Sequence, residues 1–193
     1  MAALATAVHQ GKALYVGISS YSSKKTKEAS LLLRGMGIKC LIHQPSYSML
    51  NRWIEAELLA TIDDEGMGCI VFSPLAQGLL SGKYLTTIPP GSRKFKEARL
   101  FRDNFLSAEN LERVRNLNAI AESRGQTLAQ MAIAWTLRHP QVSSALIGVS
   151  QIAQLEENIG ALRHLEFSPR ELADIDLWAV DSDINIWAAS SNA

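Results

Sequence analysis

The stretch Cys69-Ile70-Val71-Phe72-Ser73-Pro74-Leu75-Ala76-Gln77-Gly78 sets a continuous apolar run against a turn built of serine, proline and glycine. An apolar run without polar alternation predicts a parallel strand covered on both faces. Working outward, the same pattern recurs in Ala13-Leu14-Tyr15-Val16-Gly17-Ile18, in Cys40-Leu41-Ile42-His43 and in Ala145-Leu146-Ile147-Gly148. Residues 24–36 read as a helix between the first two runs, with Ser22 and Ser23 as N-cap candidates and Gly35 and Gly37 at its end. Residues 54–65 carry Leu58, Leu59 and Ile62 at helical spacing and stop at Gly66. Strand, helix and strand therefore return at roughly 30 residues, the size of a βα unit.

After Ser73 the rhythm breaks. Pro74, Gly78, Gly82, Pro89, Pro90 and Gly91 mark a long loop reaching Asn104, and loops of that length are functional or disordered. Helices are expected over 108–123 and 128–138, parted by Gly125, and over 152–162 with Ser150 as cap. Ser168-Pro169-Arg170-Glu171 combines a capping box with proline at the first helical position, and residues 2–10 read as the tail of another helix. Four parallel strands fit either a small doubly wound sheet or half of an eight-stranded barrel. The chain holds no G-x-G-x-x-G or P-loop motif.

Composition narrows the classes. The chain has 193 residues, 47% of them hydrophobic and 20% charged, as in globular proteins. Nineteen basic and nineteen acidic residues cancel, which argues against nucleic acid and anionic membranes as partners. No apolar run reaches the roughly 20 residues of a membrane span. Residues 1–10 lack the pattern of a signal peptide. Cys40 and Cys69, each inside an apolar run, are expected as buried free thiols, and the expected compartment is cytoplasmic. His43, within a strand, is expected as a satisfied core histidine, and no metal-ligand spacing occurs.

Four loop segments follow the four runs: Gly17-Ile18-Ser19-Ser20, Gln44-Pro45-Ser46-Tyr47, Phe72 to Gly78, and Ile147-Gly148-Val149-Ser150 through Asn158. Together, in this order and spacing, they resemble the aldo-keto reductase family, in its branch of bacterial L-glyceraldehyde-3-phosphate reductases and voltage-gated potassium-channel β-subunits. The likeness spans essentially the whole chain. It implies an α/β fold, the C-terminal half of a (β/α)8 TIM barrel, with residues 1–193 as one partial NADP-dependent oxidoreductase domain.

The resemblance also implies roles. Ser19, Ser20 and Gln44 match residues that hydrogen-bond the nicotinamide carboxamide, a group with both donors and an acceptor that a glutamine amide can answer. Phe72 matches the aromatic that stacks on the nicotinamide ring. Ser73, Leu75 and Gln77 match the segment around the pyrophosphate. Lys83 and Arg93 match basic residues near the phosphates, where charge-assisted contacts favour NADPH. Gly148 and Ser150 stand where a helix N-terminus meets the adenosine-side phosphate. Gln154, Glu157 and Asn158 match residues around the adenine and its ribose. Without the resemblance, the serines read as caps or turns, Gln44 as a turn residue, Phe72 as core, and the basic residues from Lys83 to Arg102 as a solvated loop.

The family reduces carbonyls with a tyrosine, lysine, aspartate and histidine from its first four strands. None of Tyr15, Tyr21, Tyr47 and Tyr84, nor of His9, His43, His139 and His164, has matching neighbours, so no catalytic residue is assigned. The expectation is a cofactor-binding part of an NADPH-dependent reductase of small aldehydes, inactive alone because its catalytic half is absent. Its partners would be a nicotinamide dinucleotide and, with the other half supplied, a small aldehyde; a homo-oligomer stays open. The alternatives are a non-catalytic dinucleotide- or partner-binding module, and a remnant without stable fold.

Overall fold

Backbone polarity and apolar patterning produce four βα units in a computed structural model that describes residues 1–85 and 103–191. The first helix, α1 (Ala2–His9), leads into β1 (Val16–Ser19), α2 (Ser23–Gly35), β2 (Cys40–Gln44), α3 (Leu58–Asp64) and β3 (Gly68–Phe72). A 3₁₀ segment at Ala76–Ser81 follows, and another at Asp103–Leu106 precedes α4 (Ala108–Ser123) and α5 (Leu128–Thr136). Then come β4 (Val142–Leu146), α6 (Ile152–Ile159), α7 (Pro169–Asp176) and a short α8 (Ala188–Ser191). The strands pair in the order β1-β2-β3-β4, all parallel, which leaves β1 and β4 each with one neighbour.

The caps are set by side chains. Ser22 accepts from the Lys25 amide and Ser107 from the Asn110 amide, which starts α2 and α4. Thr127 and Gln130 form a capping box on α5, and Ser168 and Glu171 form one on α7, with Pro169 in its first turn. Glu171 also pairs with Arg124, whose guanidinium lies 3.9 Å over the Phe167 ring and whose side chain is 1% exposed. Ser168→Ala is expected to cost about 1 kcal/mol by removing one half of this box, read as a lower urea midpoint at unchanged slope.

Burial alternates along β1 and β3, and follows the register shifts along β2 and β4, and shows that only one face of the sheet is covered. Val16, Ile18, Cys40, Cys69, Val71 and Val142 are buried in one cluster with Leu33 of α2, Leu58 and Ile62 of α3, and Leu117, Met131 and Trp135 of α4 and α5. Their alternates Gly17, Ser19, Ile42, Gln44, Ile70, Phe72, Ser144 and Leu146 are half-buried or exposed. This corrects the expectation of strands covered on both faces. The runs look continuous because the open face is itself partly apolar, as the inside of a barrel is. An outward helical layer on a four-stranded parallel sheet, with the other face open, is the α/β architecture of half a (β/α)8 barrel.

Three boundaries differ from the sequence reading. β4 starts at Val142 and ends before Gly148, because Ser143 and Ser144 serve as strand residues with a one-residue register shift opposite Cys69 and Ile70. The helix expected over 54–65 divides into a 3₁₀ turn at Trp53–Glu55 and α3. Ser150 does not cap α6; Gln151 stands at that position and makes no side-chain cap. Cys40 and Cys69 are buried and free, and burial raises both thiol pKa values, that of Cys69 to about 12. His43 is buried with Nε2 donating to the Tyr21 carbonyl at 3.2 Å, while Nδ1 has no partner among the described residues. The core histidine is therefore satisfied on one nitrogen only, and burial lowers its pKa to about 4, so the ring is neutral.

Candidate functional site

Register decides which side chains can meet. Ser19 lies opposite Gln44, both on the open face at the C-terminal end of their strands. The Gln44 carbonyl accepts from the Ser19 hydroxyl at 2.7 Å and from the Ser20 amide at 3.1 Å, so the β1 loop is tied to β2. Pro45 has no N–H, which interrupts the β2–β3 ladder. The pairing resumes where the Phe72 amide donates to the Pro45 carbonyl at 3.0 Å and Ser46 bridges Phe72. Phe72 in turn lies opposite Leu146 of β4. Ser19, Gln44 and Phe72 thus share one end of the open face.

Beyond Phe72 the backbone is strained. Ser73 (φ 57°), Ala76 (φ 49°) and Gln77 (φ 57°) all adopt the left-handed region, as does Ser20 (φ 56°) after β1. Such residues cost of order 1–3 kcal/mol each and gather at ligand sites. Gln77 Nε2 donates to Ser73 Oγ at 3.1 Å, and Ser81 Oγ donates to the Gly78 carbonyl at 2.6 Å, which close the loop on itself. Gly78 (φ 96°) has a conformational need and a spatial one: a Cβ there would lie 2.8 Å from Lys83 Nζ. Lys83 Nζ also stands 5.0 Å from the Tyr84 ring centroid, a cation–π contact that holds the ammonium beside the loop.

This loop and the end of β4 enclose a cleft of about 660 Å³. Ser73, Leu75, Gln77, Lys83, Gly148, Ser150, Gln154, Glu157 and Asn158 all line it, as does Ala129 of α5. Within it, Gln154 Oε1 accepts from the Ser150 amide at 3.0 Å and from its hydroxyl at 3.3 Å. Asn158 is buried, whereas Gln154 and Glu157 are exposed on the same helix. Ser19, Ser20, Gln44 and Phe72 do not line the cleft; they lie along the strand ends beside it. Arg93, with Lys94, Lys96, Arg99 and Arg102, lies outside the described residues.

Two features escaped the sequence reading. The strained backbone of 73–77 carries no glycine at its left-handed positions, so no residue type announces it. Trp187 packs edge-to-face on Phe72, with ring centroids 4.6 Å apart and planes at 85°. No periodic pattern near the C-terminus marks that tryptophan.

Among the described residues, no tyrosine lines the cleft. Tyr47 is buried, and burial is the largest cause that drives its phenol pKa far up. Its hydroxyl donates to Glu55 Oε1 at 2.5 Å and accepts from Arg138 at 2.5 Å. Among the described residues, no group of three or more His, Cys, Asp or Glu is placed to hold a metal, and no helix is long and apolar enough to cross a membrane.

The model of the aldo/keto reductase family matches residues 1–179. L-glyceraldehyde 3-phosphate reductase of Escherichia coli (strain K12) is 52% identical over 194 residues, covering 98% of this chain and 56% of the relative. A putative voltage-gated potassium channel subunit beta of Schizosaccharomyces pombe is 35% identical over 175 residues, covering 88% of this chain and 51% of the relative. The chain thus spans about half the length of the curated relatives it matches.

Proposed function

The chain belongs to the aldo/keto reductase family, and from that premise we propose that it is the cofactor-holding part of an NADPH-dependent reductase of small aldehydes. The observation that carries the reading is the cleft of about 660 Å³ between the strained 73–78 loop and α6, whose lining residues Ser73 and Leu146 adjoin Phe72. Small-molecule clefts of roughly 300–1,000 Å³ are the usual size for ligand binding.

The residues fit such a group. Phe72 offers a flat apolar surface, and Gln44 a donor and an acceptor for a carboxamide. Lys83 supplies positive charge at the cleft wall, where the missing side chain of Gly78 leaves room for its ammonium. Gln154 Oε1 accepts from Ser150 N–H and O–H, the position a phosphate oxygen takes at a helix N-terminus. The chemistry supplied by the bound dinucleotide is hydride transfer to a carbonyl carbon. This chain's residues bind and orient the ring; the protonation of the carbonyl oxygen falls to none of its described tyrosines.

We take residues 1–193 as one partial oxidoreductase domain, cytoplasmic by the two free buried thiols. The second reading, a dinucleotide- or partner-binding module without turnover, draws on the relative named as a channel subunit. The expected result is that the 193-residue chain binds NADPH, seen as enhanced cofactor fluorescence on titration, and oxidises none in the presence of small aldehydes. Turnover by this chain would overturn the division of labour. Absence of NADPH binding would overturn the cofactor reading itself.

A further inference from the structure

We propose that Trp187 is a positioning residue of the nicotinamide subsite: it fixes the ring of Phe72 so that one face stays presented to the ligand. The proposal rests on the cofactor reading above and deepens it. In an edge-to-face pair with centroids at 4.6 Å and planes at 85°, at least one face of Phe72 is left uncovered by Trp187. A planar ring needs one free face to stack on, and needs that face held at a fixed tilt.

Trp187 is itself held by a chain of contacts that refers back to the backbone of Phe72. The Trp187 amide donates to Asn185 Oδ1 at 3.0 Å, and Ser46 Oγ donates to the same oxygen at 3.5 Å. Ser46 is fully buried, receives Asn51 Nδ2 at 3.0 Å, and forms the bridge beside Phe72. Phe72 is hydrogen-bonded on both sides of that bridge, to the Pro45 carbonyl and the Tyr47 amide. Upstream, Asp181 Oδ1 accepts from the Arg52 amide at 2.7 Å, and the Ser182 amide donates to the Leu50 carbonyl at 3.2 Å. Arg113 adds a 3.0 Å bond to Ser182 Oγ, and Ile184 is buried. The segment from Asp181 to Trp187 is therefore a strap anchored along the β2 loop, and its last residue meets the platform. The alanine variant removes a half-buried side chain at the end of this strap and leaves the core cluster intact.

The test separates the nicotinamide end of the site from the adenosine end. NADPH and adenosine 2′,5′-bisphosphate are titrated against the parent chain, Trp187→Ala and Trp187→Phe, with thermal unfolding as the control for folding. Trp187→Ala is expected to weaken NADPH roughly three- to tenfold, the worth of one aromatic pair, and to leave the bisphosphate unchanged. Trp187→Phe keeps an edge and a face and is expected to hold NADPH within about twofold. Equal NADPH affinity in the parent and the alanine variant overturns the proposal, as does an equal loss for both ligands, the mark of a merely structural role. A parent chain that binds the bisphosphate no more weakly than NADPH also overturns it while the cofactor reading survives. A parent chain that binds neither ligand overturns that reading and the inference with it.

Discussion

Glu55→Ala is expected to lower the stability of the chain by about 3 kcal/mol, the low end for removing one partner of a buried ionic network. The low end applies because the Glu55 side chain keeps 21% of its exposure. Its Oε1 accepts from Tyr47 at 2.5 Å and from Arg138 at 2.8 Å, and its Oε2 from Arg52 through Nε at 3.0 Å and Nη2 at 2.6 Å. Arg138 also lies 3.5 Å from the Trp135 ring centroid, and Arg52 lies 5.2 Å from it. Without the carboxylate, two guanidinium groups share one aromatic ring with no negative charge between them. Arg52 would keep Asp176 at 2.6 Å, but Arg138 would keep only the Tyr47 hydroxyl and the Trp135 carbonyl. His139 does not replace the lost charge. Burial, then the neighbouring Arg138, lowers its pKa, so its 4.0 Å approach to Glu55 is not an ion pair near neutral pH.

The same carboxylate sets a pH dependence. Burial pushes the Glu55 pKa up, but the hydrogen bonds from Arg52, Tyr47 and Arg138 pull it further down, leaving it below the ordinary value. A depressed folded-state pKa gives stability that is present above the unfolded value, near 4.3, and is lost as pH falls through the folded one. Urea unfolding of the parent from pH 7 downward is expected to show this acid loss, and Glu55→Ala is expected to flatten it. A parent and variant with parallel pH profiles would show that the network does not depend on the charge.

Much of this layout is legible in the sequence because local signals agree with the tertiary outcome. Ser22, Ser107 and the Ser168–Glu171 box start helices where hydroxyl and carboxylate spacing requires it. Gly37, Gly66 and Gly125 take positive φ just beyond helix ends, as single residues without Cβ can. Other features depend on contacts that no window of sequence contains. Ser143 and Ser144 look like a loop until β3 pairs Ser144 with Ile70 and the register shift absorbs Ser143. Ile70 and Phe72 look like residues of a strand buried on both sides until the sheet is seen to have a layer on one side only. The cleft residues from Ser73 to Asn158 come together because the 73–78 loop and the β4–α6 turn lie at the same end of adjacent strands. Trp187 meets Phe72 only through the strap fixed by Arg52, Leu50 and Ser46. That contact is a product of tertiary structure, and residue type alone could not have located it.

Gly160→Ala is expected to cost about 2 kcal/mol, the worth of two hydrogen bonds, although φ −55° and ψ −22° suit alanine there. A Cβ at residue 160 would lie 2.5 Å from Gln130 Nε2 and 3.4 Å from its Cδ. A glutamine tip can swing away, so the expense is not steric; it is what Gln130 must release. Its Oε1 accepts from the Thr127 amide at 3.1 Å, the reciprocal half of the α5 capping box, and its Nε2 donates to the Glu157 carbonyl at 3.1 Å. Gln130→Ala alone is expected to cost a similar amount for the same reason. In the double variant the two losses cannot both count, and alanine at 160 then restricts only the unfolded chain, a gain of about 0.5 kcal/mol. A double-mutant cycle by urea unfolding is therefore expected to show a coupling of roughly 2.5 kcal/mol. Additive losses would mean that Gln130 does not occupy the space above Gly160. The same displacement reaches the cleft, because Glu157 accepts the released bond and Asn158 follows it in α6, both lining the cavity. On the cofactor reading, Gly160→Ala then weakens NADPH as well as stability, and Gln130→Ala weakens NADPH by a similar factor, since both free the same turn of α6.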